Sequence, residues 1–169
     1  MMKRFAITGP ESSGKTTLSK ALAEQYNTSW MPEFAREYLE KTNGIYTEID
    51  LDVIAKNQLE AWKNAKEQTI LFCDTEMLVM KIWSEFKYGR CSEFIERAFH
   101  QQQFDHYFLC RPDIPWEEDP LREHPEQREQ LFEIYHKSLI EYNLPFTIVE
   151  GDLSNRLSIC KNVLEKNHF

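Results

Sequence analysis

A chain of 169 residues with 41% hydrophobic and 13% aromatic side chains is long enough to bury a full core as one domain, which excludes a disordered polymer. Its formal net charge of −8 argues against a broad nucleic-acid footprint. No apolar stretch approaches the ~20 residues of a membrane span, and the start Met1-Met2-Lys3-Arg4-Phe5 enters a strand pattern with no signal peptide, so a cytoplasmic protein is expected.

In chain order, the apolar run Phe5-Ala6-Ile7-Thr8 predicts a buried strand over about 4–8. Leu18, Leu22 and Tyr26 then recur at helical spacing. A weak strand is expected over about 28–31, stopped by Pro32, followed by helical pattern over about 33–41 and 50–67. The run Thr69-Ile70-Leu71-Phe72-Cys73 predicts a third strand. Two helices follow over about 75–86 and 92–100, the second with Ser92 as a candidate N-cap. A fourth strand covers 106–110, and an acidic, proline-rich stretch runs over about 112–127. A helix over about 127–142, a strand over 146–149 and a helix over about 152–166 complete the chain.

Between the first strand and the first helix stands Gly9-Pro10-Glu11-Ser12-Ser13-Gly14-Lys15-Thr16, which has the G-x-x-x-x-G-K-T spacing of a phosphate-binding P-loop. Glycine at positions 9 and 14 allows the backbone to curl so that successive amides face one anion. The helix that begins there adds its free N-terminal donors. Lys15 is expected to reach the β- and γ-phosphates of ATP and the Thr16 hydroxyl to bind Mg²⁺. Gly9, Glu11, Ser12, Ser13, Gly14 and Thr17 complete the candidate nucleotide site. With strands and helices alternating around this loop, the expected fold is α/β: a three-layer P-loop NTPase fold, a five-stranded mostly parallel sheet flanked by helices, in one domain over 1–169.

Ligands of such a sheet bind at the carboxyl ends of its strands. Asp74, directly after the third strand, is placed to hold Mg²⁺ or to orient an acceptor hydroxyl; capping the next helix is the competing role. Glu33, Arg36 and Glu37 follow the second strand, and on a helix Glu33 and Glu37 share one face. A carboxylate there can take a hydroxyl proton and an arginine can pair with phosphate oxygens, although an ordinary solvated charge cluster has the same pattern. The stretch over 112–127 has the composition of a lid, with Arg122 or Arg128 supplying charge and Trp116 able to stack on a flat ring; a plain surface loop anchored by Trp116 is the alternative. Arg156, after the fifth strand, is a candidate adenine-side residue or an exposed side chain of a capped helix.

Cys73, Cys91, Cys110 and Cys160 lack C-x-x-C spacing and are expected to be reduced thiols. His100, His106, His124, His136 and His168 lack metal-ligand spacing.

Taken together, Gly9–Thr16, Glu33-Phe34-Ala35-Arg36-Glu37-Tyr38, Phe72-Cys73-Asp74-Thr75-Glu76, Lys87-Tyr88-Gly89, Pro115-Trp116 with Asp119 and Leu121-Arg122, and Asp152 with Arg156 resemble the ribosylnicotinamide kinase domain of the NadR-type NAD-biosynthesis proteins. The resemblance spans nearly the whole chain. It implies ATP-dependent phosphorylation of the 5′-hydroxyl of nicotinamide riboside, with Trp116 stacking on the base, Arg122 as a lid arginine, and Glu33 and Arg36 on the substrate side. It also implies a small-molecule partner and no adenylyltransferase or DNA-binding function. The family commonly has Asp-Gly-Leu-Arg where this chain has Asp119-Pro120-Leu121-Arg122; proline fixes the backbone and removes a donor. A kinase for another nucleoside or vitamin alcohol, and a regulatory ATP-binding module, remain open on sequence alone.

Overall fold

A computed structural model of the chain describes residues 2–65 and 68–166. It contains a five-stranded sheet of order β2-β3-β1-β4-β5, in which every adjacent pair is parallel. The strands are β1 (Lys3–Thr8), β2 (Trp30–Met31), β3 (Ile70–Asp74), β4 (His106–Cys110) and β5 (Phe146–Val149). The helices are α1 (Lys15–Gln25), α2 (Phe34–Lys41), α3 (Glu48–Lys63), α4 (Met77–Tyr88), α5 (Glu93–Gln101), α6 (Arg128–Glu141) and α7 (Leu153–Lys166).

The inner strands are continuous apolar runs because both of their faces are covered. Alternate residues enter two cores. Phe5, Ile7, Phe72 and Phe108 pack with Leu18 and Leu22 of α1 and Cys160 and Leu164 of α7. Ala6, Leu71, Cys73, Tyr107 and Leu109 pack with Ile54 of α3, Leu78 of α4, Ile95 of α5 and Phe132 of α6. The three-layer expectation is met, and the sheet is wholly parallel rather than mostly so.

Element boundaries moved where a side chain ends the pattern. The strand expected over 28–31 is confined to Trp30–Met31, because the Thr28 hydroxyl donates to the Ile70 carbonyl at 2.5 Å and takes that residue out of the ladder. The helix expected to start at Asp50 begins at Glu48, with the Asp50 carboxylate accepting from the Thr47 backbone N–H at 2.7 Å in a capping arrangement. It ends at Lys63, with Asn64 as its C-cap and Ala65 beyond the helix, short of the expected Glu67; residues 66–67 of that extension, like His168, lie outside the described residues. Ser92 caps α5 as expected, accepting from the Ile95 N–H at 3.2 Å.

The helix expected from Thr75 begins two residues later, at Met77. Glu76 caps it, accepting from the Leu78 N–H at 2.5 Å, and Thr75 sits at φ +82°. Capping therefore falls to Glu76, and the Asp74 carboxylate turns instead to the Thr16 hydroxyl at the start of α1. Parallel pairing of β1 with β3 sets Ile7 opposite Asp74, so Asp74 ends its strand level with the residues that lead into Gly9.

Candidate active site

The P-loop takes its shape from two positions where only glycine fits. Gly9 lies at φ +131°, and a Cβ there would stand 2.8 Å from the Cys110 carbonyl oxygen. Gly14 lies at φ +83°, and a Cβ there would meet Arg156 Nη1 at 3.0 Å and Ile114 Cδ1 at 3.2 Å. Gly14 also stands at the start of α1, which has no side-chain cap and no acid in its first turn, so the helix presents open N–H donors to an anion. Within the loop, Lys15 Nζ donates to the Pro10 carbonyl at 2.8 Å and Ser13 Oγ donates to the same oxygen at 2.7 Å.

The Thr16 hydroxyl donates to Asp74 Oδ2 at 2.5 Å, while Asp74 Oδ1 is buried without a partner. Asp74 is 1% exposed, and burial raises its carboxyl from the ordinary value against the lowering effect of Lys15 and the Thr16 hydrogen bond. A hydroxyl and an orphaned carboxylate oxygen are the hard donors Mg²⁺ takes, and both lie beside the loop that would hold nucleotide phosphates. The donor set therefore fits Mg²⁺ shared with a nucleotide. Among the described residues no group of three His, Cys, Asp or Glu side chains forms a metal site by itself.

Glu33 is not inside the helix, as its spacing suggested, but is the extended residue preceding α2. Consequently Glu33 and Glu37 do not share a helical face: Glu33 lines the cavity, and the exposed Glu37 pairs with Lys41 at 2.5 Å. Loss of water and repulsion from Asp74 push the Glu33 carboxyl up to about 7, against the opposing charges of Lys15 and Arg36. Such a group can take up a proton near neutrality.

One cavity of about 380 Å³ joins these parts. Its floor is the whole loop from Gly9 to Thr17, its side carries Glu33 and Arg36, and its far wall is Trp83, Phe86 and Tyr135. The aromatic wall was not anticipated. Trp83 and Phe86 repeat along α4 and Tyr135 along α6 at the spacing of core residues, and nothing in the sequence distinguishes a helix face that borders a cleft. Trp83 is held in place by donating from Nε1 to the Tyr46 hydroxyl at 2.9 Å, with the two rings edge to face at 5.1 Å.

The stretch over 112–127 lies against the loop. Glu11 accepts from the backbone N–H groups of Glu123 and His124 at 3.1 and 3.0 Å. Ser12 Oγ accepts from the Glu117 N–H at 3.0 Å, and Arg128 donates to the Ser12 carbonyl at 3.0 Å. Arg122 lines the cavity and donates to the Glu117 carbonyl at 2.5 Å. Arg36 reaches across from α2 to pair with Asp119 at 2.9 Å, and the Leu121 N–H bond together with Arg36 holds that carboxyl below the usual range. Pro120 is accommodated in a tight turn closed by the Arg122 N–H donating to the Asp119 carbonyl at 3.1 Å, where proline supplies the φ that the second turn position uses.

Two expected residues lie elsewhere. Trp116 is not part of the cavity wall. Its ring lies within 5.8 Å of the Arg122 guanidinium and 5.7 Å of that of Arg128, which leaves Trp83 and Phe86 as the tryptophan and phenylalanine facing the cleft. Arg156 is 3% exposed rather than on the surface, and it donates to the carbonyls of Ser13, Gly151 and Arg111 and to Asp113 Oδ1. It buttresses the loop from beneath.

Comparison with known proteins agrees with this architecture. Trifunctional NAD biosynthesis/regulator protein NadR from Salmonella typhimurium and from Escherichia coli are each 26% identical over 98% of this chain. The chain spans 42% of the length of these curated relatives. A NadR protein solved in complex with NAD and AMP-PNP superposes with a TM-score of 0.71 at 24% identity, covering 89% of this chain and 44% of that one. Another, in complex with NR, gives a TM-score of 0.72 at 22% identity over 89% and 44% of the two chains. Deoxyadenosine kinase from M. mycoides with bound dATP has a TM-score of 0.60 at 16% identity over 96% and 99%. The AAA domain family matches residues 4–156, nearly the full length of the chain, and to that family of P-loop domains this chain belongs.

Proposed function

We propose that this protein is an ATP-dependent kinase that phosphorylates the 5′-hydroxyl of nicotinamide riboside to give nicotinamide mononucleotide. The observation that carries the reading is the single cavity that runs from the P-loop, past Glu33, to the aromatic wall of Trp83, Phe86 and Tyr135, with Asp74 buried behind Thr16 of the loop. A triphosphate at one end and a flat-ringed nucleoside at the other would meet beside Glu33. The likeness to NadR, including a NadR protein solved with NR, supports the choice of acceptor.

Phosphoryl transfer needs positioning and charge neutralisation more than covalent help. Gly9, Ser12, Ser13, Gly14 and Thr17 offer loop and helix donors to the phosphates, and Lys15 exchanges its Pro10 carbonyl for phosphate oxygens. Thr16 and Asp74 would hold Mg²⁺, which supplies charge neutralisation between the phosphates. Glu33 faces the acceptor and takes its hydroxyl proton as the acceptor oxygen bonds to the γ-phosphorus and the bond from that phosphorus to the bridging oxygen of ADP breaks. Arg122 and Arg36, both on the cavity wall, stabilise the charge that spreads over the transferring oxygens. The stretch over 112–127 acts as the lid, bound to Glu11 and Ser12 when closed.

ATP consumption across a panel of nucleosides and vitamin alcohols, with a control lacking acceptor, tests the reading. Fast turnover with nicotinamide riboside alone is the expected result. Turnover confined to another acceptor replaces the substrate, and slow acceptor-independent hydrolysis replaces the kinase by a regulatory ATPase.

A further inference from the structure

A second hollow of about 520 Å³ opens at the opposite end of β1 from the P-loop, between the start of that strand, the end of α3 and the outer face of α5. Its size falls in the range of small-molecule sites. Three cations, Arg4, Lys63 and Arg97, line it, and none of them forms an ion pair with a carboxylate among the described residues. This is unusual in a chain of net charge −8. The neighbouring acids are engaged elsewhere: Glu96, beside Arg97, pairs with Lys81 at 2.6 Å and His100 at 3.1 Å, and Asp105 accepts from Lys3 Nζ and from the Arg4 backbone N–H, each at 2.9 Å.

The hollow also has an aromatic wall, and one of its rings carries an unmet donor beneath the surface. Trp62 is 4% exposed, and its Nε1 is buried with no hydrogen-bond partner. Its ring meets Phe104 edge to face at 5.4 Å, and Phe94 lines the same space. A buried indole N–H without an acceptor carries a desolvation cost that an incoming oxygen would relieve.

We propose that this hollow is a second ligand site, for an organic anion with a flat apolar ring. Arg4 and Arg97, with Lys63 at the rim, hold the carboxylate or phosphate; a small turn of the Trp62 ring lets Nε1 donate one hydrogen bond; Phe94 and Phe104 cover the ring. The site is joined to the catalytic end through Gln102, which is part of its lining. Gln102 Nε2 donates to Glu76 Oε2 at 2.7 Å, and Glu76 Oε1 accepts from the Thr8 hydroxyl at 2.9 Å, immediately before Gly9. Occupancy is therefore placed to bias the cap of α4 and the entry to the P-loop, and by linkage nucleotide binding biases this site equally.

The test follows the indole N–H signals of the four tryptophans in ¹H–¹⁵N spectra of the full chain, with Trp62→Phe identifying the signal of interest. Benzoate is titrated as the carboxylate probe, phenyl phosphate as the phosphate probe and benzyl alcohol as the neutral control. The expected result is a saturable shift of the Trp62 signal with at least one anion, and a weakening of about tenfold in Arg4→Gln and in Arg97→Gln. Which probe saturates first assigns the anionic group. Arg97 is exposed, so its replacement leaves the fold intact and decides the question even if Trp62→Phe does not fold. No saturable shift with either anion up to about 20 mM, an equal response to benzyl alcohol, or an unchanged response in Arg97→Gln overturns the proposal.

Discussion

The Thr16 hydroxyl donates to Asp74 Oδ2 across the junction of α1 and β3, while Asp74 Oδ1 is left buried without a partner. Under the proposed function the pair would supply two hard oxygen donors to Mg²⁺. Asp74→Asn keeps the shape and removes the charge. It is expected to lower turnover by at least about a hundredfold and to move the Mg²⁺ dependence to higher concentration. A magnesium titration of initial rates measures both, and an unshifted midpoint would remove Asp74 from the metal site.

Lys15 has one hydrogen bond, to a carbonyl of its own loop. Nothing in either core depends on it. Lys15→Ala is therefore expected to abolish turnover while costing about 1 kcal/mol of stability, or about 2–4 °C in the unfolding midpoint. Near-normal turnover in a folded variant would sink the P-loop mechanism.

These two residues were legible from sequence because their signals are local: a fixed spacing, and an acid that ends an apolar run. The aromatic wall was not, because Trp83 and Phe86 repeat like core residues and only the packing of α4 beside the loop turns that face toward a cavity. Tyr46 gave no signal, since its partners Trp83 and Glu123 lie 37 and 77 residues away. Glu33 was placed correctly at the strand end, yet its side chain is positioned by preceding α2 rather than by helical spacing. Arg156 reads as an exposed helix residue, and only the convergence of Ser13, Arg111, Asp113 and Gly151 turns it inward.

The raised Glu33 carboxyl makes a pH signature. As a base it works deprotonated, so kcat/KM is expected to rise with pH through about 7 and then level. Glu33→Gln should lower turnover and abolish that limb. The stability effect has the opposite sign. The folded state binds the Glu33 proton more tightly than the unfolded chain does, so stability falls as pH rises from about 4.5 to about 7. A variant whose acidic limb stays at the same pH would assign the base elsewhere, Asp74 first.

Arg156 donates four hydrogen bonds to the protein from a 3% exposed side chain. Arg156→Ala leaves three carbonyls and Asp113 without their donor, at a cost of about 3 kcal/mol. Because one of those carbonyls belongs to Ser13 in the loop, the KM for ATP is expected to rise as well. Thermal unfolding and ATP kinetics check the two effects together. A variant of unchanged stability would show that the loop stands without its buttress.

The Tyr46 hydroxyl ties the aromatic wall of the cavity to the stretch over 112–127. It accepts from Trp83 Nε1 at 2.9 Å and from Lys87 Nζ at 2.6 Å, and donates to Glu123 Oε2 at 2.5 Å. The Glu123 backbone N–H in turn donates to Glu11 of the P-loop. Tyr46→Phe keeps the ring against Trp83 and removes the hub of these bonds. Lys87 still pairs with Glu123 at 2.7 Å and Glu11 still holds the lid backbone, so the nucleotide end should persist. The expected outcome is a rise of about tenfold in the acceptor KM, near the worth of one hydrogen bond, with the ATP KM little changed. Equal changes in both constants would mean that Tyr46 supports lid closure as a whole rather than the setting of Trp83.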